Sequence, residues 1–265
     1  MFKNNKQHTG YWLASQSTLS DLETETPHSL TVGQKIKVKD SKPPWIIVCK
    51  TIPAIIVTSN SWPCSLWRAN VTKLGDMSNL VADPGYWRAG EIELIEELPV
   101  ATLFGANGDK IIPLLNQITT LTLLEVYKLY ENKGENSCAE ATYAHGWHLW
   151  NKGLEHPRSH TYESGSTLRS PSRHDKEESP TNYGFSLIYA LFWQQARKLE
   201  GDAAFVEYIE YDQTELELTP HWSAACTAFL HKAMALSMAE HLSDGEYSDL
   251  VRLWVSVFGL SSTKG

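Results

Sequence analysis

Glu91-Ile92-Glu93-Leu94-Ile95-Glu96-Glu97-Leu98 stands on one side of the turn sequence Gly105-Ala106-Asn107-Gly108, and Ile111, Leu114, Leu115 and Ile118 stand on the other. Before the turn, apolar and acidic residues alternate with a period of two, as a half-buried strand requires, although Ile95 follows Leu94 directly and breaks the period. After it, the apolar spacing is three and four, which places those side chains on one face of a helix. Asn and Gly accept the positive φ that a turn between the two demands. The chain therefore changes from strand to helix here, and the reading extends in both directions.

Upstream, branched and aromatic residues fall in short runs: Lys35 to Lys39, Trp45 to Lys50, Ala54 to Ser59 and Leu66 to Leu74, with Tyr86 to Leu98 as the fifth. Pro43-Pro44, Pro53, Trp62-Pro63 and Gly75-Asp76 punctuate them, since proline cannot donate to a ladder and glycine tolerates turn dihedrals. Such runs predict a small sheet or open barrel. Downstream, Leu121, Leu124, Tyr127 and Leu129-Tyr130 continue the helical spacing, with Gly134 as its expected stop. A third helix is expected over Cys138 to Trp150, its Tyr143, Trp147 and Trp150 read as core. Helical spacing resumes from Phe185 to Leu199, and Phe205, Tyr208 and Ile209 carry it into a helix over Asp202 to Asp212. Thr219 and Pro220 open the next helix as cap and first-turn residue, with Trp222, Cys226, Phe229, Ala233 and Leu236 along one face. Tyr247, Leu250, Val251, Trp254, Val257 and Phe258 form the stripe of the last, begun by Ser243 or Asp244 and ended by Gly259. The short polar turn between these two helices makes them an antiparallel pair.

The expected architecture is α+β: a β-rich region over 1–104, a small sheet or open barrel, packed against a helical bundle over 105–265. Between Glu155 and Asn182 the composition turns to Ser, His, Pro, Arg, Glu and Lys, so 155–182 reads as a flexible polar insertion. A chain of 265 residues allows one to two domains at roughly 150 residues each. Its apolar fraction of 42% suffices for a core, which argues against disorder throughout. The best apolar run, Trp45 to Val57, is broken by Lys50 and Pro53 and is too short to span a bilayer. Met1 to Gly10 is polar, without the apolar core of a secretion signal, and four cysteines are too few for a disulfide scaffold. A reducing cytoplasm is the expected compartment.

The 23 basic and 31 acidic residues give a net charge of −8, and that charge is unevenly placed. Up to Gly134 there are 13 of each sign; beyond it 10 basic residues face 18 acidic ones. Glu200, Asp202, Glu207, Glu210, Asp212, Glu215 and Glu217 lie between Glu200 and Leu218 with no Lys or Arg among them. Such a segment repels nucleic acid phosphates and attracts cations or a basic protein surface. One reading is a solvated face that keeps the protein soluble. The other is a docking surface for a cationic partner made of Glu207, Tyr208, Glu210, Tyr211, Asp212, Glu215 and Glu217, in which the interleaved tyrosines anchor an interface that charge only guides.

Catalytic signatures are sparse. His145 and His148, followed by His156 and His160 with Cys138 upstream, raise the question of metal, but no two cysteines lie closer than Cys49 and Cys64 and no H-E-x-x-H helix occurs. Ser164-Gly165-Ser166 sits in the polar insertion rather than in a strand-to-helix elbow, and Gly105 to Lys110 lacks the phosphate-loop spacing. Glu91, Glu93, Glu96 and Glu97 read as the solvent side of a strand, and Cys226 as an inert thiol on an apolar face. No catalytic residue, metal ligand or cofactor is assigned. Trp62, Trp67 and Trp87 lie around turns of the β part, where they either roof a small core or form a recognition patch, and Arg68 and Arg88 follow two of them onto the opposite strand face.

Leu66-Trp67-Arg68-Ala69-Asn70-Val71, Gly85-Tyr86-Trp87-Arg88-Ala89, Ile92 to Pro99 and Leu103-Phe104-Gly105 are similar to the sheet region of uncharacterised bacterial proteins found as polymorphic-toxin immunity candidates. Ala233 to Leu242 with Tyr247 to Gly259 resembles the helical end of the same group. The resemblance covers about half the chain and carries over no catalytic residue. It implies a bacterial, cytoplasmic, non-enzymatic immunity protein that blocks a cognate toxin by occupying it. The acidic segment independently suits a toxin with a basic cleft. The alternatives are a hydrolase, metal-dependent through His145 and His148 or otherwise, and a structural adaptor using exposed tryptophans.

Overall fold

A computed structural model of the chain describes residues 8–15, 19, 30–39, 43–52, 55, 62–76, 78, 85–152, 180–210 and 213–259. The fold is α+β and divides into two compact units, residues 1–103 with 171–183 and residues 104–170 with 184–265.

The first unit is built from β1 (His8–Ser15), β2 (Lys35–Lys37), β3 (Ile46–Cys49), β4 (Cys64–Leu74) and β5 (Tyr86–Leu98), all paired antiparallel. β5 is long enough to give one edge to β4 and to divide the other, Tyr86 to Ala89 pairing with β3 and Glu91 to Glu93 with β2. β1 pairs with β4 from His8↔Val71 to Ser15↔Cys64 and meets β3 at Tyr11↔Cys49, so the ring β5, β3, β1, β4 closes on itself. The expected open barrel is thus a closed four-stranded one with β2 as an extra strand. Trp12, Ile36, Val48, Trp67, Ile92 and Leu94 meet in its core. The interrupted period of β5 has a structural cause: Arg68 pairs with Glu96 and Ala69 with Leu94, so Ile95 is an extra residue at an irregularity of the β-bulge kind, of the sort that increases local twist. At Gly10 a Cβ would lie 2.3 Å from the Cys49 carbonyl oxygen, so only glycine fits where β1 meets β3.

β1 is absent from the strands expected above. Its apolar stretch Tyr11 to Ala14 is short and follows a polar start, and pairing with β4 along its whole length is what holds it extended. The expected strand over Ala54 to Ser59 lies outside the described residues except for Ile55, which is buried. So does most of 155–182, although a helix already begins at Pro180.

The second unit contains α1 (Gly108–Thr120), α2 (Leu123–Asn136), α3 (Glu140–Lys152), α4 (Pro180–Glu200) from residue 184 onward, α5 (Pro220–Ser237) and α6 (Asp244–Phe258), with a two-stranded sheet, β6 (Phe205–Glu210) and β7 (Gln213–Leu218), between α4 and α5. α1 buries Ile111, Leu114, Leu115 and Ile118, as their spacing requires. α2 runs through Gly134 to Asn136 instead of stopping at the glycine. Nothing lies within 4 Å of a Cβ built there, so the position costs only the roughly 1 kcal/mol by which glycine trails alanine in a helix. α5 is buried around most of its circumference rather than along one face: Ala224, Ala225, Ala228 and Ala235 are as inaccessible as Trp222 and Phe229, and the half-buried Ser223, Thr227 and His231 mark the narrow stripe that is left. Its small residues let neighbours approach closely. The α3 residue Gly146 is one such approach, since a Cβ there would lie 2.9 Å from Met234 Sδ of α5. Thr219 caps α5 in position but makes no side-chain cap bond. α6 has the full device: Ser243 Oγ accepts from Glu246 N, Glu246 accepts from Ser243 N at 2.8 Å, and Gly259 ends the helix at φ +67°.

Candidate functional site

The acidic segment does not form the helix expected over Asp202 to Asp212. Phe205 pairs with Leu218, Val206 with Glu217, Glu207 with Leu216, Tyr208 with Glu215, Ile209 with Thr214 and Glu210 with Gln213, making a β-hairpin. The signal was in the sequence: Thr214-Glu215-Leu216-Glu217-Leu218 alternates strictly, and Phe205-Val206 with Tyr208-Ile209 are strand formers. The helical spacing of Phe205, Tyr208 and Ile209 yields to this alternation because the second strand supplies a partner for each residue of the first.

The hairpin is rooted in the second unit. The Phe205 ring lies 4.5 Å from that of Trp193 on α4, with the Arg197 guanidinium 4.5 Å over its face. Ala204 and Leu218 are buried at the base, and Thr219 N donates to Ala204 O at 2.9 Å. Glu200, at the end of α4, accepts from His221 Nε2 at 2.8 Å, from Trp222 Nε1 at 2.6 Å and from Tyr127 OH at 3.2 Å, and the Tyr127 and His221 rings stack 4.7 Å apart. Burial raises the Glu200 pKa, but the bonds from His221 and Trp222, the His221 charge and the Tyr127 bond together hold it below the ordinary carboxylate range.

Two of the seven acids therefore serve the root. Glu200 joins this cluster, and Asp202 accepts from Arg197 at 2.6 Å. The seven are not uncompensated as a set. Beyond the root the picture changes. Glu207 and Glu217 are exposed, and among the described residues neither enters an ion pair. Val206 and Leu216 beside them are 43% and 45% exposed, an unusual condition for aliphatic strand residues and one that charge counting did not reveal. Glu210 faces Gln213, and Glu215 faces Tyr208, through the register alone; Tyr211 and Asp212 lie outside the described residues.

The other candidate chemistries are occupied elsewhere. His145 Nδ1 lies 2.6 Å from Glu246 Oε1, and the Ser243 bonds followed by His145 bring the Glu246 pKa down to about 2. His148 is exposed, His156 and His160 lie outside the described residues, and among the described residues no group of three His, Cys, Asp or Glu side chains could hold a metal ion. Burial, together with Asp249, pushes the Cys138 thiol up to about 12, and burial alone raises that of Cys226, so neither supplies a thiolate near neutral pH. Glu91 is taken up by Thr72 and by Lys37 and Lys35, and Glu96 by Arg68. Trp67 is 2% exposed in the barrel core and donates to Ser65 Oγ, while Trp87 packs on that core under Lys50 Nζ. Among the described residues no tryptophan stands out as an exposed patch. No described helix is long and apolar enough to cross a membrane. Comparison of the chain with protein-family models, curated proteins and solved structures gives no match.

Proposed function

We propose that the protein is a non-enzymatic immunity protein that binds a cognate bacterial toxin in the cytoplasm and blocks it, with the β6–β7 hairpin as its docking element. The observation that carries this reading is a hairpin rooted by the half-buried Phe205 ring against Trp193 and by the buried Ala204 and Leu218, which presents Glu207 and Glu217 to solvent without a cationic partner among the described residues. Carboxylates in that position attract a basic surface over about a Debye length, roughly 8 Å at physiological salt, and set the rate of encounter. Val206 and Leu216 supply apolar area to be covered once contact is made. Tyr208 and Tyr211 belong to the same segment and are residue types suited to anchoring an interface. A toxin that acts on nucleic acid needs a basic cleft, so an acidic, aromatic projection occupies the place of its substrate. The resemblance of the 66–71, 85–89, 92–99, 103–105, 233–242 and 247–259 stretches to immunity candidates supports the same class.

The test is co-purification with a toxin domain encoded beside this chain, followed by association kinetics of the Glu207→Lys/Glu217→Lys double variant. The expected result is association slowed about tenfold or more at low salt, with a smaller difference at high salt. Kinetics unchanged at both salt concentrations would remove the hairpin from the interface.

A further inference from the structure

The hydrogen-bond parity of the hairpin shows which of its backbone groups remain available. In an antiparallel pair, residues that bond each other alternate with residues whose N–H and C=O point outward. Thr219 N donating to Ala204 O makes 204 and 219 a bonded pair. Counting along the register from it, Val206↔Glu217, Tyr208↔Glu215 and Glu210↔Gln213 are bonded, whereas Glu207 and Ile209 on β6 and Thr214, Leu216 and Leu218 on β7 direct their groups to the two outer edges; the outward N–H of Phe205 is taken by Asp202 O. Among the described residues no third strand pairs with either edge.

We propose that the outer edge of β7 accepts an extended segment of the partner protein as a third strand, and that this segment alternates Lys or Arg with apolar residues. The proposal rests on the reading of the hairpin as a docking element and adds how the partner is held. β7 alternates Glu215 and Glu217 with Thr214, Leu216 and Leu218. Leu216, whose own N–H and C=O point outward, is 45% exposed, and Glu217 is exposed beside it. A strand laid against this edge sets its alternate residues beside those of β7, so a basic residue meets Glu217 while an apolar one covers Leu216. Backbone bonds then supply affinity and the alternation supplies specificity. A second copy of the same chain is a poor occupant, because edge-to-edge pairing would put glutamates beside glutamates.

The experiment uses the full chain and three probes: an eight-residue peptide alternating lysine and valine, the same peptide N-methylated at alternate residues, and a peptide of identical composition with its lysines and valines in two blocks. Amide hydrogen exchange and fluorescence anisotropy are read at low and high salt. The alternating peptide is expected to slow exchange at Thr214 and Leu216 about tenfold or more, and N-methylation or blocking of the sequence is expected to abolish that protection. Leu216→Pro, which deletes an outward N–H and no bond within the hairpin, is expected to lose it as well. The N-methylated probe makes the same test without a variant, so a misfolded proline variant leaves the answer intact. Salt-dependent binding that N-methylation does not weaken and that protects no β7 amide overturns edge pairing, while leaving the charge-guided docking surface to the kinetics of the Lys double variant. A concentration-dependent dimer of the chain that Leu216→Pro dissolves overturns the proposal by giving the edge to a second copy. No binding of the alternating peptide at low salt also overturns it.

Discussion

In the N-terminal barrel, β5 gives one edge to β4 and divides the other between β3 and β2, and β1 closes the ring, so most strand edges are used internally. β2 leaves one edge outside, and that strand is three residues long and carries Lys35 and Lys37, both paired to Glu91. Short, lysine-bearing edges resist pairing with other chains. The C-terminal hairpin has the opposite design. Its two strands pair only with each other among the described residues, Val206, Glu207, Leu216 and Glu217 are exposed, and the charged residues of its strands are all acidic. A two-stranded ribbon is marginal on its own and persists here because Phe205 and Leu218 tie it to the helices. The difference teaches that the barrel is stabilised by what it encloses, whereas the hairpin is stabilised at one end and left available along the rest.

The largest effect that would sharpen this contrast is Ile92→Ala in the barrel core. Ile92 is fully buried between Ile36 of β2 and Val71 of β4, and its truncation is expected to cost about 2–5 kcal/mol in denaturant unfolding of the barrel. A loss below about 0.5 kcal/mol would break the comparison, since that is the range of surface positions. Next is Phe205→Ala, which removes the ring from Trp193 and Arg197 and is expected to cost about 2 kcal/mol, with exchange protection lost in β6 and β7 and retained in the barrel. Loss of protection in both sheets together would show that they unfold as one.

Glu200 tests the root through pH. Its pKa in the folded protein lies below the ordinary glutamate value, so its contribution is complete above that ordinary value and disappears as pH falls through the lowered one. Hairpin protection is therefore expected to decline in acid, and Glu200→Gln, which weakens the bonds from His221 and Trp222 and costs about 1–3 kcal/mol at neutral pH, is expected to flatten that decline. An equal acid response in the variant would exclude Glu200 as its source. The smallest effect belongs to Val206→Ala: at 43% exposure it is expected to move stability by less than about 0.5 kcal/mol, and a larger loss in thermal unfolding would mean that the outer hairpin is not free.

Much of the fold was legible because the periodicities are strong. Ile111 to Ile118, the Ser243-to-Gly259 helix with both of its caps, and the runs that became β2 to β5 each carry a local signal. β1 was missed because His8 to Ser15 has no punctuation of its own and is set by its partner. The helix over Asp202 to Asp212 was misread because Phe205, Tyr208 and Ile209 fit a helical spacing as well as a strand of mixed faces. The second strand, which begins at Gln213, decides between them. Of the candidate site, the acid-rich composition was visible, but the division between Glu200 and Asp202 at the root and Glu207 and Glu217 in solvent was not, because His221, Trp222 and Arg197 reach those acids through the fold.

The sequence by itself determined the change from strand to helix at Gly105 to Gly108, the caps of α6, the core face of α1 and the acidity of the 200–218 segment, since each depends on residues within a few positions of one another. Only the tertiary structure decided that the barrel closes, that α5 is buried around most of its circumference and that Glu207 and Glu217 ride on a hairpin whose outer edges meet no third strand among the described residues. Those outcomes depend on which strands and rings meet across long separations, and backbone hydrogen bonding and burial choose among pairings that local propensity leaves equal.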